Sequence, residues 1–210
     1  MIRFFFVCLL AGLPLLALAA PPPPADVATD YEWELRTPDR TLFRDRTPVG
    51  QISLIAQSGK DKKKAKPSGE VLTLISEVAF AQGDTARFFA ASFELWRGTV
   101  IAESAVLDAA ELPALWRSLS FMLTTAQGTG GTDRADTRIT FRAKSGLTFA
   151  FEQVGKVQQF SLSFPQRDKQ DETLRVLTAD QFSTMKDLLD LVLFDLKRQG
   201  AVIGPITEAK

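Results

Sequence analysis

Two hydroxyl–amine pairs are the first places to look for chemistry. Ser183-Thr184-Met185-Lys186 has the S-x-x-K spacing, which on a helix sets a serine hydroxyl one turn from an amine able to act as its base. Lys144-Ser145-Gly146 supplies a second Lys–Ser element. In serine–lysine acyl transfer the nucleophile motif comes first along the chain, and here it comes second. Lys186 also falls near the start of an amphipathic helix, on its solvated side, so a helix-surface lysine is the expected reading. Gly128-Thr129-Gly130-Gly131 invites a phosphate cradle, but a cradle needs a strand before the glycines and a helix after them. Here the order is helix, glycines, strand, which reads as a flexible link.

The types that are missing exclude more. The chain has no histidine and one cysteine, Cys8, inside an N-terminal apolar run. Histidine-based triads, proton shuttles and metal sites are therefore excluded, and so are thiol nucleophiles and structural zinc once that run is removed. Asp133 and Asp136 flank Arg134, and Asp168, Asp171 and Glu172 sit beside Arg167 and Lys169. Neither group has the alternating ligands and glycine of a calcium loop. No metal and no cofactor are expected. Two acids far apart in the chain can still meet as a glycosidase pair, so a small hydrolase using serine or carboxylates stays open as an alternative.

Recognition chemistry has more support. In "RFFAASFELW" the alternation puts Phe89, Ala91, Phe93 and Leu95 on one side, suited to pack beneath helices. Phe88 and Trp96 then face the other way, around Ser92 and Glu94. In "DTRITFRAK" the matching outward residues are Arg138, Thr140 and Arg142. A sheet face presenting Phe88, Trp96, Arg138 and Arg142 suits a protein, peptide, glycan or second subunit, because aromatic and arginine side chains dominate binding surfaces. The competing expectation is that an N-terminal segment with Trp33 covers Phe88 and Trp96. Lys62, Lys63 and Lys64 in "KDKKKAK" form either a solvated loop or an electrostatic contact for an acidic partner. They lack the interleaved aromatics of a single-strand binder.

The elements that must position these residues follow from the pattern. "MIRFFFVCLLAGLPLLALAA" has Arg3, an apolar run from Phe4 to Leu18, then Ala17-Leu18-Ala19 in small-x-small spacing. Residues 1–19 read as a signal peptide cut after Ala19. The apolar run is shorter than the roughly 20 residues of a spanning helix, and a retained N-terminal anchor is the competing reading. Export to the periplasm or medium is expected. With no cysteine left, the body must be stable by packing alone. Residues 20–30, "APPPPADVATD", read as a proline-rich spacer, and 31–48 as a short strand, "YEWELR", followed by an irregular arm interrupted by Pro38 and Pro48.

From Val49 the plan becomes regular and then repeats. Four strands and a helix fill 49–126, a glycine-rich link 127–135, four strands and a helix 136–200, and a tail 201–210. "VLDAAELPAL", from Val106, and "VLTADQFSTM", from Val176, mark the same junction twice: a last strand, then a helix start. Asp108 with Glu111, and Thr178 with Gln181, have capping-box spacing. Buried stripes follow at helical spacing, Leu112, Leu115, Trp116, Leu119 and Met122 in one helix, Phe182, Met185, Leu188, Leu189, Val192 and Leu196 in the other. Pro113 disturbs the first helical turn, and Gly200 ends the second helix.

The predicted fold is α+β: strongly bent antiparallel sheets with two helices, as a duplicated ββββα unit. From about Val49 to Gln199 this topology resembles the Whirly and Pur-type single-strand nucleic-acid binders, with none of their sequence signatures. The resemblance implies that architecture, and single-strand nucleic-acid binding as a third function. Charge does not favour it: 25 basic against 25 acidic residues offer no broad electrostatic capture of nucleic acid. The leading expectation is an exported, non-catalytic binding or interaction protein.

Overall fold

The computed structural model describes residues 29–37, 40–56, 66–165 and 174–206. The signal segment, most of the proline-rich spacer, Lys62, Lys63, Lys64 and the acidic loop around Asp168 lie outside the described residues. Three helices and eight strands alternate as α1 (Asp30–Arg36), β1 (Leu42–Ala56), β2 (Lys66–Ala81), β3 (Arg87–Arg97), β4 (Val100–Asp108), α2 (Leu112–Thr129), β5 (Arg134–Arg142), β6 (Thr148–Gly155), β7 (Val157–Ser163), β8 (Arg175–Leu177) and α3 (Ala179–Arg198). The strands make two four-stranded antiparallel meanders, β1-β2-β3-β4 and β5-β6-β7-β8. The chain is thus α+β with two ββββα units in succession.

The pairing registers show how closely the units correspond. In the first sheet Ile75 pairs Ser92 and Ser92 pairs Val106; in the second Ala150 pairs Ser161 and Ser161 pairs Val176. Moving two residues along, Arg46 pairs Glu77 as Arg138 pairs Glu152. Both pairs close as ion pairs, at 3.0 and 3.1 Å. Two residues the other way, Thr73 pairs Glu94 where Thr148 pairs Ser163. The tight hairpins turn at glycines of positive φ, such as Gly98 at +64° and Gly155 at +60°, where a side chain would be strained.

The helices tie the units together by crossing over. α3, which follows the second sheet, packs across β1 and β2 of the first. Gln181 Nε2 donates to the Ser53 carbonyl (2.7 Å), and the Ser76 hydroxyl to Asp195, buried between helix and strand. α2, which follows the first sheet, packs on β5 and β6. Its last turn is held by Thr129 Oγ1 donating to Gln153 Oε1 (2.6 Å) and Gln158 Nε2 donating to the Ala126 carbonyl (2.9 Å). One continuous core results, with Phe93 edge-on to Phe149, Phe149 edge-on to Phe182, and Phe182 stacked on Phe160 at 4.5 Å. Burial of these large side chains, not disulfides, supplies the cohesion. All residues expected on the two helical stripes are buried or packed against this core. Residues beyond α3 continue the packing: Ala201 is buried, and Ile203 and Ile206 lie against the core.

Three expectations are corrected. "YEWELR" is a helix, not a strand. Six residues of alternation fit either period, and what decides is capping: Thr29 accepts from the Glu32 N–H, and Asp108 accepts from the Asp30 and Tyr31 N–H groups, all at 3.1 Å. The arm after it is not irregular to residue 48, because β1 begins at Leu42. Pro48 is accommodated on this strand at a register shift between Pro48 and Gly50. Finally, Asp108 does not cap α2. Its carboxylate is spent on α1, and the N-cap of α2 is Glu111, without a side-chain bond. Only the return half of the box forms, the Asp108 N–H donating to Glu111 Oε2. Pro113 sits in the first turn, where the N–H it lacks has no helical partner to lose. At the second junction both halves of the Thr178–Gln181 box are present.

Candidate functional site

Cross-strand partners share a face, so the registers give the outer face of the first sheet rung by rung. Starting beside α1, the rungs are Arg44–Ala79–Phe88, Arg46–Glu77–Ala90–Asp108, Pro48–Ile75–Ser92–Val106, Gln51–Thr73–Glu94–Ser104 and Ser53–Val71–Trp96–Ile101. Outer faces of antiparallel sheets are commonly wet, yet Thr73, Ile75, Glu77, Ser92 and Glu94 are all buried.

The first two rungs are closed by α1. Tyr31 packs on Ala79 and Ala90, with Leu35, Phe88 and Val106 around them. The Tyr31 hydroxyl donates to Glu77 Oε2 (2.7 Å), which also receives Arg44 Nε (2.8 Å); Arg46 Nε donates to Glu77 Oε1 (3.0 Å). The Glu77 side chain has no exposed surface. Burial alone raises a carboxyl pKa, but the donors from Ser92, Tyr31 and Arg44 outweigh it and hold Glu77 below the usual carboxylate range. Burial, with Glu77 adding to it, pushes the Tyr31 phenol well above its ordinary value. Glu77 is saturated and stays ionised, so it is not a general acid. It is the anchor that ties α1 and β1 to the middle of the sheet.

The last two rungs are different. Glu94 accepts from Arg46 through Oε1, while Oε2 is buried with no hydrogen-bond partner among the described residues. Thr73 Oγ1, directly across the ladder from Glu94, and Trp96 Nε1, two residues on, are in the same condition. Buried polar atoms are nearly always paired. Here three unpaired ones, an acceptor, an indole donor and a hydroxyl, share one face. The internal repeat offers a comparison. The second sheet keeps threonine at the matching rung, Thr148, but has Ser163 in place of Glu94. Two residues on from Ser163, where the first sheet has Trp96, stands Pro165. Ser120 on α2 and Ser145 in the β5–β6 turn also have buried unpaired hydroxyls, away from this face.

The residues expected from sequence to form one face are divided. Phe88 is half-buried under α1, not on an open surface, because the predicted strand "YEWELR" became the helix that covers it. Trp96 is half-buried at the opposite end of the same face. Arg138 and Arg142 point outward as expected, with Ile139 and Phe141 packed inward, but they belong to the second sheet. Arg138 is paired with Glu152 and Arg142 stands on the Arg142–Thr148–Ser163 rung. Thr73, Glu94, Arg46 and Glu77 are the residues the sequence reading missed as a group. A glutamate in the apolar "LTLISEVAF" was the available signal, since an acid in a buried strand must have partners.

The remaining motifs are placed on the surface or in turns. Lys186 Nζ lies 4.5 Å from the centre of the Trp116 ring and 3.2 Å from Asp190 Oδ2. Its amine is thus engaged by Trp116 and Asp190, while Ser183 is exposed. Lys144 lies 3.8 Å from Asp108. Gly130 and Gly131 follow α2 and precede β5, as a link. Among the described residues no three acidic or thiol side chains gather to hold a metal, and no helix is long and apolar enough to cross a membrane. Compared with protein-family models, with curated proteins and with solved structures, the chain finds no match.

Proposed function

We propose that the chain is an exported, non-catalytic binding protein whose ligand lies on the outer face of the first sheet, at Thr73, Glu94 and Trp96. The observation that carries this reading is the convergence of three buried, unpartnered polar atoms on one face. Each is costly to leave unsatisfied, on the order of 1–3 kcal/mol. None of the three has exposed surface, so a partner that satisfies them must displace the side chains over them. The N-terminal apolar run with its small-x-small site supports export. Binding is favoured over hydrolysis because the carboxylate that shares Arg46 with Glu94 is Glu77, whose donors keep it ionised, which leaves that pair without an acid. The five charges on the face, Arg44 and Arg46 against Glu77, Glu94 and Asp108, leave it net negative by one, which gives no support to nucleic acid.

Native mass spectrometry of the full-length gene product, recovered from the envelope or medium of its own host, tests the proposal. The expected species begins at Ala20 and carries a ligand or partner that Glu94→Gln and Trp96→Phe reduce. A chain that retains residues 1–19 places the protein at the membrane and overturns its release as a cleaved product. A ligand retained undiminished by both variants overturns the site.

A further inference from the structure

We infer that the free edge of the second sheet, β5 from Thr137 to Arg142, docks an extended acidic segment of another protein, which joins the sheet as a further strand. This surface is separate from the face of the first sheet and stands without it. Main-chain geometry is the first argument. β5 pairs with β6 alone, so its other side is an edge. Their hairpin closes with the Ala143 N–H donating to the Leu147 carbonyl and the Gly146 N–H donating to the Ala143 carbonyl, both at 2.9 Å. Ala143 thus turns both of its main-chain groups toward β6. Antiparallel partners alternate in this respect, and the register runs unbroken from Thr137–Gln153 to Arg142–Thr148. Phe141, Ile139 and Thr137 therefore bond to β6, while the N–H and C=O groups of Arg142, Thr140 and Arg138 point away from it. That open row is about 13 Å long, at about 3.3 Å per residue.

The other edges are the second argument, because folds guard their edges with prolines, irregularities and short strands. β1 carries Pro48 and register shifts, β4 slips register opposite Leu95 and Trp96, and β8 is 3 residues long. Between Thr137 and Arg142 there is no proline, no glycine and no register shift. A strand added here gains affinity from main-chain bonds and specificity from alternate side chains.

Charge is the third argument, and it names the partner. Arg138, Thr140 and Arg142 are all exposed on the outer face. The rungs behind them are Arg138–Glu152–Gln159, Thr140–Ala150–Ser161–Val176 and Arg142–Thr148–Ser163, with two arginines against one carboxylate. The Arg138–Glu152 pair lies on the surface, with the arginine side chain 66% exposed, so it holds Arg138 weakly. Arg142 has no ion pair among the described residues. An incoming strand sets its side chains directly opposite these, so carboxylates four residues apart meet both arginines. Its intervening residues lie beside Ile139 and Phe141, which are half-buried against the core, and are best apolar. A second copy of β5 paired about Thr140 would set arginine against arginine, so the charges that admit an acidic strand reject that copy.

The test follows the backbone amides of 15N-labelled full-length protein. The probe is the end-blocked peptide TEVTVET, with TKVTVKT and oligothymidylate as contrasting classes. In the free protein the Arg138, Thr140 and Arg142 amides are expected to exchange quickly and those of Ile139 and Phe141 slowly. TEVTVET should shift and protect the first three saturably, and TKVTVKT should not. N-methylation of its glutamates and central threonine removes the N–H groups facing β5 and should abolish binding, whereas N-methylation of its valines should not. Arg138→Glu with Arg142→Glu, both at exposed sites, should weaken TEVTVET by about tenfold or more and make TKVTVKT the better ligand. Equal binding of the two peptides, or equal effects of the two methylation patterns, overturns the acidic-strand reading. Failure of TEVTVET to shift β5 overturns it too, whether or not oligothymidylate does. Protection of Arg138, Thr140 and Arg142 in the free protein that grows with its concentration makes the occupant a second copy and also overturns it.

Discussion

Replacing Gly50 with alanine tests the crossing of α3 onto the first sheet. A Cβ built at Gly50 of β1 would lie 2.3 Å from Leu188 Cδ2 and 3.2 Å from its Cδ1. Carbon atoms pack at about 3.5–4.0 Å, so the leucine methyl must retreat by more than about 1 Å, which requires a new rotamer of this half-buried side chain. Such overpacking costs about 1–3 kcal/mol. Gly50 does not have a positive φ, so alanine also narrows the unfolded ensemble, a gain of about 0.4–1 kcal/mol. The expected net loss is about 1–2 kcal/mol, read as a lower urea midpoint at unchanged m-value. Leu188→Ala alone should cost about 1–2 kcal/mol, below the range for a fully buried leucine because Leu188 is half-buried. In the double variant the alanine methyl occupies the space the leucine leaves, so the two losses should fall short of adding by about 1 kcal/mol. Strict additivity with Leu188→Ala refutes the packing of Leu188 of α3 on β1.

Acid should loosen the α1 anchor. Glu70, Glu77 and Asp195 all lie below their ordinary values, each against the raising effect of its own burial; Arg175 and Arg97 oppose it in Glu70, Ser92, Tyr31 and Arg44 in Glu77, and Ser76 with Arg198 in Asp195. A depressed folded pKa gives stability that is present above the unfolded value, near pH 4.5, and lost as pH falls toward the folded one. Urea midpoints should therefore fall steeply below about pH 4.5, and Glu77→Gln should flatten that limb while lowering the midpoint at neutral pH. Asp108→Ala should cost about 1 kcal/mol as a lost cap and speed hydrogen exchange in residues 30–36 but not at the start of α2; the opposite pattern contradicts the capping assigned here. Phe182→Ala removes a fully buried ring stacked on Phe160 and should cost about 3–5 kcal/mol by chemical denaturation, so a loss under about 1 kcal/mol contradicts the shared core. Phe88→Ala should lower stability and leave host-ligand binding at Trp96 unchanged, which separates the end of the face under α1 from the end at Trp96.

Periodicity alone determined the two long helices, most of the strands and the duplicated order. A stripe such as Phe182, Met185, Leu189, Val192 and Leu196 can be buried only by a helix, and a glycine between two alternating runs admits a tight turn. Those are local signals, set by covalent geometry and by the gap between periods of 3.6 and 2. The short "YEWELR" segment escaped that logic because six residues complete too few turns to separate the periods. Asp108 decided the matter from another strand, and in doing so left α2 without the cap its spacing promised. Which sheet each helix covers was not legible either, since an apolar stripe does not name the surface that receives it. The division of the expected aromatic–arginine face has the same cause: alternation assigns a residue to a side of its own strand, not to one of two sheets. The candidate site exists only after pairing sets Thr73 opposite Glu94. Hydrogen-bond satisfaction is a property of neighbours in space, so three unpaired atoms on adjacent rungs become visible only in the tertiary structure.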